Sequence, residues 1–385
     1  MDFGYFTLSD NRYPGNPRTS EQFMDDIVAE AIHADRIGMH SVWIGEHHFN
    51  RRGSIPCPGM LLANVAAVAK RVRLAPAVVV LPLHNPIAVA EEWATLDRLS
   101  GGRVDFAMGR GYDAAEYAPF GADFQESAEI FAEGSELLWR CWTEEGPFSF
   151  TGRYYHAENI ELAPKPVQQP LIPTVACFSR YSMELAARRG WNIIFAPFAA
   201  TVMFGGLAQA VADYREACAA AGTTPGQAKC SYFIHVADTP AEDALGRECL
   251  LRYFGNPGME RPTAAQMPPT MQYMAKVHQW IRDLKSADLD DSSVLLGPAD
   301  GILESLKRVE AAGLDEVILY FNLGLKPHEV VLDQMSRFMK DVAPAFPTPP
   351  TTARTLAARE RALTSRGSPS SRSSSRFSPR TDSEG

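Results

Sequence analysis

The chain has 385 residues, 45% of them hydrophobic, and a formal net charge of −9 at neutral pH. That is enough apolar material for one large α/β domain or two ordinary ones. The acidic balance argues against a nucleic-acid partner, since residues 344–385 carry seven arginines against three acids and leave the remainder near −13.

Short apolar runs alternate with longer helical patterns, the signature of repeated βα units. The chain passes straight into a first strand, Phe3–Leu8, without a basic leader, as expected of a cytoplasmic protein. No apolar run approaches the ~18 residues of a membrane span. A polar loop, Ser9–Pro17, precedes Thr19-Ser20-Glu21-Gln22, a capping box for a helix that runs to Ile37 and stops at Gly38. The second strand is the stretch Ser41-Val42-Trp43-Ile44-Gly45-Glu46-His47-His48-Phe49, apolar at its start and ending in a carboxylate and two imidazoles. A helix over Met60–Lys70 and a strand over Val72–Leu81 follow. The strand is apolar on both faces, as parallel strands are. Pro86–Leu99 is the third helix, with proline at its start and Gly101-Gly102 after its end. Strand four, Val104–Met108, leads into Gly109-Arg110-Gly111-Tyr112.

Ser127–Trp142 is predicted helical, and Phe148–Tyr155 reads as a hairpin turning at Thr151-Gly152. Strand five, Thr174–Cys177, is followed by a helix over Tyr181–Arg189. Strand six (Asn192–Phe195), a helix (Val202–Ala221), strand seven (Cys230–Val236) and a helix (Ala241–Tyr253) come next. The series closes with a helix over Gly301–Ala312, strand eight at Glu316–Phe321 and a helix over Pro327–Val342. Eight such units predict a (β/α)8 TIM barrel over 1–343. A doubly wound sheet is disfavoured because no GxGxxG follows the first strand. Residues 255–295, rich in Met and Pro with Trp280, stand outside the repeat as an expected lid insertion before the last βα unit. The Pro/Thr then Arg/Ser tail, 344–385, has little to bury and is expected to be disordered.

The polar surprises fall at the carboxyl ends of strands, hence on one rim. Glu46, His47 and His48 end strand two, and Gly109-Arg110-Gly111-Tyr112 end strand four. Phe178-Ser179-Arg180-Tyr181-Ser182 end strand five. Ser179 and Ser182 at a helix start, with Arg110, make a seat for phosphate. Glycines let a ligand approach the backbone closely. The rim suits a phosphorylated, planar cofactor beside an acid–imidazole cluster. No metal is expected, because Glu46, His47 and His48 lack the i, i+4 spacing of a zinc helix. The six cysteines form no CxxC pair, which also excludes a disulfide framework.

These motifs carry a resemblance to the bacterial luciferase-like flavin monooxygenases over nearly all of 1–343. Its anchors are Val42–Phe49, then Val80-Leu81-Pro82-Leu83-His84-Asn85-Pro86 with Ala90-Glu91-Glu92, and Leu96–Arg103. Gly109-Arg110-Gly111, Phe120-Gly121 and Ala186–Gly190 complete them. The resemblance implies a usually dimeric TIM barrel that takes FMNH2 from a separate NAD(P)H:flavin reductase and forms a flavin C4a-hydroperoxide with O2. The substrate is then an organic metabolite, as in bacterial natural-product biosynthesis. The resemblance assigns proton transfer to His47 with Glu46 close to the flavin. It also assigns phosphate contacts to Arg110, Ser179 and Ser182. A non-prolyl cis peptide under the flavin falls on Ala77-Val78. Gly109, Gly111, Tyr112 and Phe178 flank these positions as expected cofactor contacts. Light-emitting subunits carry Cys where this chain has Gly109 and Glu where it has Phe178, which points away from light emission. An F420-dependent oxidoreductase and a non-catalytic flavin-binding protein are the alternatives.

Overall fold

The structure is a computed structural model that describes residues 1–49, 53–255, 264–272, 274–290 and 294–347. The first units follow the sequence closely. β1 (Asp2–Thr7) leads to α1 (Ser20–Ile37), which begins at the Thr19–Gln22 capping box and ends at Gly38 in the left-handed region. β2 (Ser41–Ile44) and α2 (Pro58–Val68) come next. Strand three is interrupted. β3 (Arg73–Pro76) and β4 (Val79–Val80) flank Ala77 and Val78, whose peptide bond is cis. α3 (Pro86–Ser100) is capped by Asn85, and β5 (Ala107–Gly109) is followed by a four-residue helix, α4 (Ala114–Tyr117), that the sequence pattern does not predict.

α5 (Ser127–Thr143) precedes an antiparallel pair, β6 (Phe148–Thr151) and β7 (His156–Ile160). The hairpin therefore turns through 152–155, later than the expected Thr151-Gly152. Then come β8 (Thr174–Ala176), α6 (Arg180–Ala187) and β9 (Asn192–Phe195). The helix expected over Val202–Ala221 is two, α7 (Pro197–Phe204) and α8 (Leu207–Ala221), broken at Gly205-Gly206, both at positive φ. β10 (Ala228–Val236), α9 (Pro240–Phe254) and α10 (Met274–Asp283) follow. β11 (Val294–Gly297), α11 (Ala299–Ala311), β12 (Glu316–Tyr320) and α12 (His328–Asp341) complete the chain of elements.

The main sheet is parallel throughout and runs β3-β2-β1-β12-β10-β9-β8-β5-β4. It begins and ends on the two halves of strand three, so it curls round onto itself as the predicted (β/α)8 barrel. Two expected boundaries are corrected. β11 pairs in parallel with Phe233–Val236 of β10, so the insertion gives way to sheet at Val294 rather than after 295. Its described residues, 264–272 and 274–290, pack over the barrel. The tail expected from 344 begins later, because Phe346 is buried with its ring 5.4 Å from Phe3. Residues 348–385 lie outside the described residues. Among the described residues no helix is long and apolar enough to cross a membrane.

Two layers fill the barrel. At the amino ends of the strands Lys229 reaches Glu316 at 2.7 Å and Asp105 at 3.4 Å, and Arg73 reaches Asp105 at 2.6 Å. Burial alone would raise the Asp105 carboxyl, but the Arg73 and Lys229 cations outweigh it and hold the group far below the usual range. Above this ionic layer the packing is lopsided. Phe6, Trp43, Ile194, Phe233, Ile318 and Tyr320 are large, whereas strands three to five contribute Ala75, Ala77, Ala107 and Ala176. The space left on the small side opens at the carboxyl ends of the strands.

Candidate active site

That space is a cavity of about 190 Å³. Glu46, His47, Ala77, Val78, Gly109, Arg110, Gly111, Tyr112, Phe178 and Ser182 all line it. Of the catalytic and cofactor-contact residues that the resemblance assigns, Ser179 alone is absent from this lining. It caps α6 by accepting from the Ser182 N–H at 3.3 Å, and its hydroxyl lies 3.2 Å from that of Ser182.

The wall is flat on one side for a local reason. Val80 is opposite Gly109 in the register of β4 and β5. A Cβ on Gly109 would stand 2.8 Å from Val78 Cγ2 and 3.3 Å from Ala176 Cβ. Gly111 has φ +70°, and a Cβ there would stand 2.7 Å from Val80 Cγ1. This positive φ turns the chain back after strand four. Asp113 then caps α4, Tyr117 donates its hydroxyl to the Arg110 carbonyl, and Glu116 is carried to the histidines.

Glu116 accepts from His47 Nδ1 at 3.0 Å and from the His48 backbone N–H at 2.9 Å, and it is buried. In a neutral His47 ring this bond to an ionised carboxylate places the proton on Nδ1 and the lone pair on Nε2. Glu46 is not the partner of His47. Its Oε1 pairs with His48 Nε2 at 2.8 Å and His84 Nε2 at 2.6 Å, and its Oε2 accepts from the Val80 N–H at 3.1 Å. Burial raises the Glu46 carboxyl, yet the bonds from His48 and His84 outweigh that and lower its pKa. His84 moves the other way: burial lowers it, but the hydrogen bond and charge of Glu46 raise it. Glu46, His48 and His84 bring three ligand-type atoms within 4.8 Å, a convergence that local spacing does not reveal.

Arg110 donates to Thr270 Oγ1 at 2.7 Å, and its guanidinium lies 5.9 Å from the Tyr181 ring centre in the first turn of α6. Glu116, His84 and Thr270 are the site residues that sequence reasoning missed. His84 sits within a motif quoted above, but nothing local ties it to Glu46. Glu116 stands three residues after Asp113, the spacing of an N-cap with an acid at the third position, which is the one available signal.

A profile of the luciferase-like monooxygenase family matches residues 1–316. The chain belongs to the luciferase-like monooxygenases. The protein y4wF of Sinorhizobium fredii is 35% identical to it over 195 residues, 50% of this chain and 55% of that protein. The chain thus spans about half the length of the first curated relatives it matches. The oxygenase component of flavin-dependent trigonelline monooxygenase from Acinetobacter baylyi is 26% identical over 86% of this chain and 91% of its own. The crystal structure of monooxygenase RslO1 from Streptomyces bottropensis superposes with a TM-score of 0.75 and 25% identity, covering 90% of this chain and 100% of that one. F420-dependent dehydrogenases also occur among the relatives of this luciferase-like monooxygenase.

Proposed function

We propose that the protein is the oxygenase component of a two-component, FMN-dependent monooxygenase. It would take FMNH2 from a separate NAD(P)H:flavin reductase and use O2 to oxygenate a small organic metabolite. The observation that carries this is one cavity wall holding Arg110 and Ser182, the flat Val78–Gly109–Ala176 face and the His47–Glu116 pair. That donor set fits a phosphorylated planar group. Reduced FMN, when bound, supplies the electrons that activate O2.

The chain's own residues do the rest. Arg110 and the Ser182 hydroxyl hold the phosphate, with the Ser179 hydroxyl behind orienting Ser182 at the start of α6. Ala77, Val78 and Gly109 support the ring, with Gly111, Tyr112 and Phe178 flanking it. Glu116 fixes the His47 tautomer so that Nε2 accepts or returns a proton at the reacting face. Glu46 ties His48 and His84 to the backbone of Val80 and keeps this rim rigid. Met271, Met274 and Val277 act as a lid that excludes water.

Two assignments concern context. The exposed stripe of α2 consists of Met60, Asn64, Ala67 and Val68, with Leu99 of α3 also exposed. An uncharged stripe of this kind supports a homodimer. Six free cysteines suit a reducing compartment such as the cytoplasm.

F420 is the second cofactor candidate, favoured by the F420-dependent relatives. Anaerobic titration with FMNH2 and with reduced F420, followed by O2 uptake in the presence of a flavin reductase, separates the two. Tight FMNH2 binding with O2 consumption is the expected result. Preference for F420 without O2 consumption would replace the monooxygenase assignment.

A further inference from the structure

The half of the cavity away from Arg110 has a different chemistry. Its wall is Phe6 and Phe233 from the barrel interior with Tyr253 and Phe254 of α9. The Phe233 ring centre lies 5.1 Å from Tyr253, 5.0 Å from Phe254 and 5.7 Å from Tyr320, so the rings form one continuous aromatic surface. Ile281 of α10, in the insertion, packs against this surface. The charged side chains in the lining are engaged: Glu46 with His48 and His84, Glu116 with His47, and Arg110 with Thr270. Tyr253 and His278 have partners of their own. Ser231 is the exception. It lies on β10 between the ionic layer and Phe233, it lines the cavity, and no described residue hydrogen-bonds its hydroxyl.

Resting on the flavin assignment above, we infer that the substrate is an uncharged compound with a flat aromatic ring system and one hydroxyl or carbonyl oxygen that meets Ser231. Rings pair with the edges and faces of Phe233 and Tyr253. A carboxylate in this half would lose its water without gaining a cation. A serine hydroxyl serves either oxygen, donating to a carbonyl or exchanging bonds with a hydroxyl.

The test is anaerobic calorimetric titration of the full chain, first with FMNH2 and then, saturated with FMNH2, with 2-naphthol, naphthalene, decahydro-2-naphthol and 2-naphthoate. Aromatic pairing predicts that 2-naphthol binds about 10-fold tighter than its decahydro form. Desolvation of an unpaired charge predicts that 2-naphthoate binds at least about 100-fold weaker than 2-naphthol. S231A should bring 2-naphthol down to the affinity of naphthalene and leave naphthalene unchanged. F233L should remove the preference for the aromatic over the saturated ring. If F233L does not fold, the parental comparison decides the aromatic contact and S231A decides the polar one. Equal binding of naphthoate and naphthol, no aromatic preference, or no probe binding to the FMNH2-loaded protein overturns the inference while the flavin assignment stands. A protein that takes 2-naphthol but no FMNH2 overturns the flavin assignment instead.

Discussion

Replacing Glu116 with glutamine keeps the volume of the side chain and one oxygen acceptor but removes its charge. The oxygen can still accept from the His48 N–H, which sits 2.9 Å from the present carboxylate. His47 Nδ1 is 3.0 Å from that same oxygen, so it keeps a neutral acceptor but loses the negative charge that would stabilise the ring when it takes up a proton. A hydrogen bond to a charged group is worth ~1.5–3 kcal/mol, which is roughly 10- to 100-fold in kcat if all of it is felt in the transition state. E116A goes further. It strips the acceptor from a buried backbone N–H and should cost ~1–3 kcal/mol of stability as well. Steady-state turnover with a flavin reductase, anaerobic FMNH2 titration and thermal melts separate these effects. E116Q should lose kcat, keep FMNH2 affinity within about threefold and melt with the parent, whereas E116A should also melt lower. Parental kcat in E116Q refutes the positioning role. Loss of FMNH2 binding in both variants would instead make Glu116 part of the cofactor seat.

R110A should weaken FMNH2 binding about 10- to 100-fold with the fold retained by circular dichroism, since one charged hydrogen-bond donor is lost; unchanged affinity would misplace the phosphate seat. The raised pKa of His84 makes its stabilising pair with Glu46 fully present below about pH 6.5 and lost as pH rises through the folded value, so H84A should cost more stability in urea at pH 6 than at pH 9. An equal cost at both values would show that His84 does not gain stability from Glu46. M60E should convert a dimer to a monomer by light scattering, because Met60 is 74% exposed on the uncharged stripe of α2; a parent that is already monomeric removes that interface. Truncation after Phe346 should leave the melting temperature unchanged, whereas F346A should lower it by removing the ring packed on Phe3.

Much of the scaffold is legible because parallel strands buried on both faces read as continuous apolar runs, and the loops that follow them carry the polar exceptions. Glu46, His47, Arg110 and Ser182 were each visible as a polar residue where a strand ends, and the fold brings them to one cavity. The residues that stayed hidden lack that mark. Glu116 lies in a helix of four residues, too short for any period to show. Thr270 belongs to an insertion with no repeat. Val294–Gly297 is a four-residue apolar run after a polar stretch, which fits a buried helix segment as well as a strand. The partner of His47 carries no local mark either: the backbone leaves β2 at Ile44, and Glu46 turns to His48 and His84 while His47 turns to Glu116.

The two ends of the barrel divide the work of charge. At the amino end, Lys229 and Arg73 meet Asp105 and Glu316 at 2.6–3.4 Å and neutralise one another. Breaking that set would strand a buried charge, so its substitution should register in stability and leave catalysis alone. At the carboxyl end, each carboxylate is tied to a histidine and to one backbone N–H, Val80 for Glu46 and His48 for Glu116. The backbone bond holds each carboxylate in place, and the histidine bond orients an imidazole. Of those imidazoles, His47 lines the cavity. The acid that matters to a proton on His47 is therefore Glu116 after strand four rather than its sequence neighbour Glu46. β2 pairs with β3 and β4 with β5, so the two halves of strand three bridge the strand that leads to His47 and the strand that leads to Glu116.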